Sequence, residues 1–156
     1  MFKKNKIKII SSSQGYSLIE MLVVLSVIII LIMINLPLLQ QYQPTMKLKG
    51  ESRELATELR YAQQLTLTEQ VVHLVRFFPS EKKYRVIRAE EGEDEEIIKE
   101  IYLNSPIIFQ EITFTDNQVS FNTAGGSSED GQVILTNNED NNIVEVKPSG
   151  YVKIIY

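Results

Sequence analysis

Cysteine is absent from the 156 residues, tryptophan too, and histidine occurs once. Without cysteine there is no disulfide and no thiolate zinc or redox centre, so any folded part must hold together by burial of apolar side chains. His73 has no second histidine with which to share a metal. It alternates with Val72 and Leu74, which places it at a half-exposed strand position. Basic residues are the minority, 16 Lys and Arg against 20 Asp and Glu, and that balance lacks the basic excess of a nucleic-acid-binding surface. The one Gly-rich loop, Ala124-Gly125-Gly126-Ser127-Ser128, lacks the Gly-Lys-Ser/Thr ending and following helix of a phosphate loop, and reads as a surface hairpin loop. The acidic runs 90–96 and 137–142 do not carry the spaced ligands of an EF-hand loop and read as solvated charge. No nucleophile stands beside a base. The sequence therefore offers no catalytic residue, no metal ligand set and no cofactor motif.

What is present in excess is one apolar run. From Met21 to Ile34 only Ser26 is polar, and Leu18 and Ile19 before it with Leu36 to Leu39 after it extend the block to about the length that spans a bilayer as a helix. Glu20 sits near its start. An acidic side chain deep in a membrane helix costs about 2.5–3.5 kcal/mol and less near the interface, so a carboxylate there marks a functional position that needs a partner. Ahead of it come a basic segment with Lys3, Lys4, Lys6 and Lys8 and the small polar linker Ser11 to Gly15. A secretory signal would end in small residues at an A-x-A-like site, which Asn35 to Gln40 does not supply. A plain amino-terminal anchor accounts for the length and the lysines, but not for a Gly, an aromatic residue and a Glu at this spacing.

Those residues resemble the leader of type IV prepilins. The resemblance implies that a membrane peptidase cuts between Gly15 and Tyr16 and methylates the new amino terminus of Tyr16, leaving Glu20 as the fifth residue, where it serves assembly. Tyr16 stands where the family usually has Phe. Loss of the four leader lysines would leave 12 basic against 20 acidic side chains, a balance of −8. Positive residues stay cytoplasmic, so the expected topology is a single pass in the cell membrane with the carboxy-terminal domain outside, and a surface fibre after assembly.

Further along, Leu48, Leu55, Leu59, Ala62 and Leu65 recur at helical spacing and form one apolar stripe, with Glu51, Arg53, Glu54, Glu58 and Arg60 on other faces. Pro37, Pro44 and Gly50 are possible breaks; without them, residues 17–70 make a rod of about 80 Å. The remainder reads as strands over 71–78, 84–89, 97–103, 107–115, 118–122, 132–136, 143–146 and 151–156, separated by turn residues. The expected division is a leader over 1–15, a transmembrane and assembly helix over 16–39, an amphipathic continuation over 40–70 and an antiparallel β domain over 71–156. The expected fold class is α+β, a long amino-terminal helix packed on an antiparallel sheet.

This layout is that of the type IV pilin-like family. The stretches 59–64 and 69–74, then Phe121, Gly125-Gly126, 131–135 and 148–152, are similar to the GspH/FimT group of minor pilins, and within it to the competence pseudopilins of Gram-positive bacteria. The resemblance implies a non-catalytic subunit of a pilus-like assembly for DNA uptake. Its partners would be other pseudopilins of the fibre, the prepilin peptidase, the assembly platform with its ATPase, and the membrane, without strong direct nucleic-acid binding. A secretion-system or pilus subunit of the same group, and a tethered binding module that never polymerises, are the alternatives.

Overall fold

The computed structural model describes residues 16–90, 92 and 94–156, and the side chains of all of these but 35–42. The chain divides into two compact units, Met1–Gln40 and Gln41–Tyr156. Helix α1 is assigned over Leu18–Glu69, and Pro37, Pro44 and Gly50 all fall within it. At its start the Ser17 carbonyl accepts from the amides of Glu20 (3.0 Å) and Met21 (3.2 Å). It stops where Gln70 turns to a left-handed φ of 57°. There the Gln70 amide donates to the Thr66 carbonyl and its side chain to that of Leu67, which satisfies carbonyls a helix end leaves open.

Eight strands follow: β1 Val72–Phe78, β2 Lys83–Ala89, β3 Glu96–Tyr102, β4 Ile108–Ile112, β5 Gln118–Phe121, β6 Gly131–Thr136, β7 Asn141–Val146 and β8 Val152–Ile155. The expected single antiparallel sheet is in fact two, in the orders β3-β2-β1-β5 and β4-β6-β7-β8. All the pairings are antiparallel. Strand β4 is shorter than the 107–115 run, because Phe114 turns inward and Thr115–Asn117 form a 3-10 turn with Asp116 at positive φ.

Both sheets bury alternate side chains against one helical face. Leu48, Leu55, Leu59 and Ala62 are at most 1% exposed and pack with Val75, Phe77, Tyr84 and Val86 of the first sheet and Val133, Leu135, Val144 and Val152 of the second. Each fully buried aliphatic side chain contributes about 1.5–3 kcal/mol, so this shared core is the main force holding the unit. Phe77 joins the sheets directly: its ring lies 5.8 Å from Phe109 and 6.2 Å from both Tyr84 and Phe114.

Candidate assembly site

Gly15 lies outside the described residues. Tyr16 is exposed, and Glu20 is the only acidic side chain in the first turn of α1. A carboxylate there faces the positive end of the helix macrodipole, which favours it. From Leu18 to Ile34 every large apolar side chain is exposed, from 45% at Ile28 to 82% at Leu18. Ser26 answers its own hydroxyl by donating to the Val23 carbonyl (2.7 Å), which leaves an apolar surface right round the helix. Among the described residues no helix is long and apolar enough to cross a membrane; the described side chains of this stretch end at Ile34.

The lower part of α1 adds to the sequence reading. Glu51 and Glu58, placed on faces other than the apolar stripe, are nonetheless 5% and 6% exposed. They flank the apolar stripe and fasten the helix to the first sheet and its following loop. Glu51 Oε1 accepts from the Asn104 side-chain amide at 2.6 Å, and Glu58 Oε1 pairs with the Lys99 ammonium. That carboxylate holds the Lys99 ammonium above its ordinary pKa. Between them Ser52 donates to the Leu48 carbonyl (2.7 Å) and accepts from Asn142 Nδ2 of the second sheet (3.0 Å). The Tyr84 hydroxyl is buried with no hydrogen-bond partner, and burial first, then the Glu54, Glu58 and Glu51 carboxylates, push its pKa strongly up.

His73 is corrected: it is fully buried, not half-exposed. Its amide donates to Thr66 Oγ1 (3.0 Å), its Nδ1 lies 2.9 Å from the Val71 carbonyl oxygen, and its Nε2 lies 3.4 Å from Glu69 Oε2. The Thr66 hydroxyl spends its proton on the Ala62 carbonyl (3.0 Å) and accepts from the His73 amide, so Thr66 ties the helix end to β1, while His73 Nε2 is buried without a hydrogen-bond partner. A strand-period argument missed this because Thr66, in the last turn of α1, reaches across to His73 and covers it.

The acidic run 90–96 is more than solvated charge. Glu95 meets Arg76 with two hydrogen bonds (2.7 and 2.8 Å), crossing β2 to reach β1, and Arg88 meets Glu90 at 2.8 Å. The Arg76 guanidinium holds the Glu95 carboxyl below its usual range. On the neighbouring row Tyr102, then Arg85, lower Glu100 to about 2. In 137–142 the Asn137 side-chain carbonyl accepts the amides of Glu139 (2.9 Å) and Asp140 (2.6 Å), which makes a local turn. No group of three potential metal ligands is found among the described residues. The loop 123–127 is partly interior: Gly125 is buried, and its carbonyl accepts from Gln63 Nε2 at 2.6 Å.

No protein-family model and no curated protein matches the chain. Among solved structures it is similar to the type IV minor pilin FimU of Pseudomonas aeruginosa, with a TM-score of 0.61 and 10% identity over 74% of this chain and 92% of that one. It is also similar to the minor pseudopilin EpsH from the type 2 secretion system of Vibrio cholerae, with a TM-score of 0.60 and 9% identity over 70% of this chain and 96% of that one. At such identities the likeness is one of fold. The fold is type IV pilin-like, a helix packed on antiparallel sheet.

Proposed function

We propose that this protein is a minor pseudopilin, a non-catalytic subunit that is processed at Gly15, anchored in the membrane by the apolar part of α1 and passed from there into a pilus-like fibre. The observation that carries this reading is the exposed apolar helix over residues 18–34, with Glu20 its one charge, on a chain of pilin-like fold. Such a surface is stable only in lipid or against other apolar helices, and transfer between the two is the subunit's mechanism. After cleavage the Tyr16 amine lies one turn before Glu20. In the fibre the amine of an incoming subunit meets the Glu20 of its neighbour, because pairing recovers what an unpaired buried carboxylate costs. The resemblance to competence pseudopilins such as ComGD supports DNA uptake in transformation as the assembly's purpose. The test is Glu20→Ala: leader removal and membrane residence persist, while cross-linking to partner subunits and transformation frequency fall. Normal cross-linking together with normal transformation would refute the role given to Glu20.

A further inference from the structure

Arg60 belongs to the half of the folded unit's cations that have no carboxylate partner among the described residues. Arg76, Lys83, Arg85, Arg88, Lys99 and Lys147 make up the other half, each with a carboxylate within 3 Å. Its Nη2 donates to the Val152 carbonyl (2.8 Å), which fixes the guanidinium and leaves its remaining N–H groups free. It lines a cavity of about 350 Å³ with Gln63, Ser149, Gly150, Tyr151 and Val152. The floor is rigid, since Gln63 is held by Gly125 and the Gly150 amide donates to the Lys147 carbonyl (2.7 Å). Tyr151 is 62% exposed.

The cavity is the end of a longer feature. Lys49 and Arg53 precede Arg60 by eleven and seven residues, three and two helical turns, so the three share one face of α1. Lys49 and Arg53 lie over the Tyr156 ring at 5.8 and 5.9 Å, and they too have no carboxylate partner among the described residues. The stripe runs beside β8, an edge strand of the second sheet.

We infer that this stripe is a docking site for an acidic, extended segment of a neighbouring subunit, with one carboxylate seated in the Arg60–Tyr151 cavity. A planar guanidinium held from one side offers the other to a carboxylate in bidentate geometry. The span from Lys49 to Arg60 is about 16 Å of helix, which about five residues of extended chain cover. A nucleic acid is the poorer occupant: three cations on a body whose balance is −8 cannot supply the run of phosphate contacts that such binding needs.

The inference rests on the assembly reading above, and two photo-cross-linking positions in the full chain separate them. Tyr151→p-benzoylphenylalanine probes the cavity and Val27→p-benzoylphenylalanine probes the apolar helix. In cells producing the whole assembly, the Tyr151 probe is expected to join another subunit at a peptide containing Asp or Glu. Arg60→Glu and Arg60→Gln should reduce that product at least tenfold and leave the Val27 product unchanged, and reversing the partner's acidic residue should restore it to Arg60→Glu. Products at Val27 alone, a Tyr151 product indifferent to Arg60, or a joined peptide without a carboxylate would each overturn the docking site. So would DNA retained by the chain at physiological salt and released by Arg60→Glu. Absence of products at both positions would overturn the assembly reading with it.

Discussion

Two glycines in the folded unit should respond to alanine in opposite directions. Gly150 has φ +79°, and a Cβ built there would lie 1.9 Å from the Gly125 carbonyl oxygen and 2.2 Å from Gln63 Nε2. The left-handed backbone costs an alanine about 1–2 kcal/mol. Relieving the clash moves backbone, which costs about 1–3 kcal/mol as overpacking. It also breaks the Gln63 to Gly125 hydrogen bond, worth about 1 kcal/mol. Gly150→Ala should thus lose about 3–6 kcal/mol, a large part of the 5–15 kcal/mol typical of a domain. Gly50 lies within α1 with nothing inside 4 Å of its would-be Cβ, and Gly50→Ala should gain about 1 kcal/mol from helix propensity alone. Urea unfolding of the full chain in detergent, followed by far-ultraviolet circular dichroism, measures both midpoints. Equal midpoints for the two variants, or a Gly150→Ala midpoint at the parent value, would refute the packing argument.

Leu59→Ala, at a fully buried helix position, should cost about 2–5 kcal/mol in the same urea assay, and a loss under 1 kcal/mol would contradict its place in the core. Tyr84→Phe removes a buried hydroxyl without a partner and should leave the midpoint level or raise it; a large loss would reveal a hydrogen bond through that oxygen. Glu95 and Glu100 have folded pKa values below the unfolded value of about 4.3, so their contribution is complete above that value and is lost as pH falls through the folded one, about 2 for Glu100. Stability should therefore decline from about pH 4.5 towards pH 2 and do so less steeply in Glu100→Gln; an acid-stabilised protein would show the sign to be wrong. Full-length protein should bind duplex DNA weakly or not at all at physiological salt, and sub-micromolar affinity by fluorescence anisotropy would reverse that expectation.

Periodicity carried the sequence reading a long way where a side chain had one reason to be where it is. Leu48, Leu55, Leu59 and Ala62 follow the helical repeat and are buried, and the observed strands lie within a residue or two of most of the expected runs. The reading failed where two forces meet on one residue. Glu51 and Glu58 lie off the apolar stripe, and nothing local marks them as buried; Asn104 and Lys99, each more than forty residues away, give them partners at the core's flank. His73 was misjudged because burial at a helix-to-strand junction comes from the helix, not from the strand's own alternation. The division into two sheets was illegible for a related reason: each run alternates alike, and only the order of pairing separates them. The Arg60 cavity is assembled from residues 60, 63 and 149–152, and no local pattern joins those.

The interleaving of the two sheets also sets a timetable for a chain made from its amino terminus. Strand β4 of the second sheet comes before β5 of the first, so the first sheet can close only once Phe121 is available, and the second only once Ile155 is. At about 5–20 residues per second the intervening stretch takes about 2–7 seconds to synthesise. For the first part of that interval, until Asn142 is made about twenty residues after Phe121, Ser52 has only its own Leu48 carbonyl, and β8 comes later still. A nascent subunit is thus most prone to go astray late, after its first sheet has closed and before its last thirty or so residues have emerged.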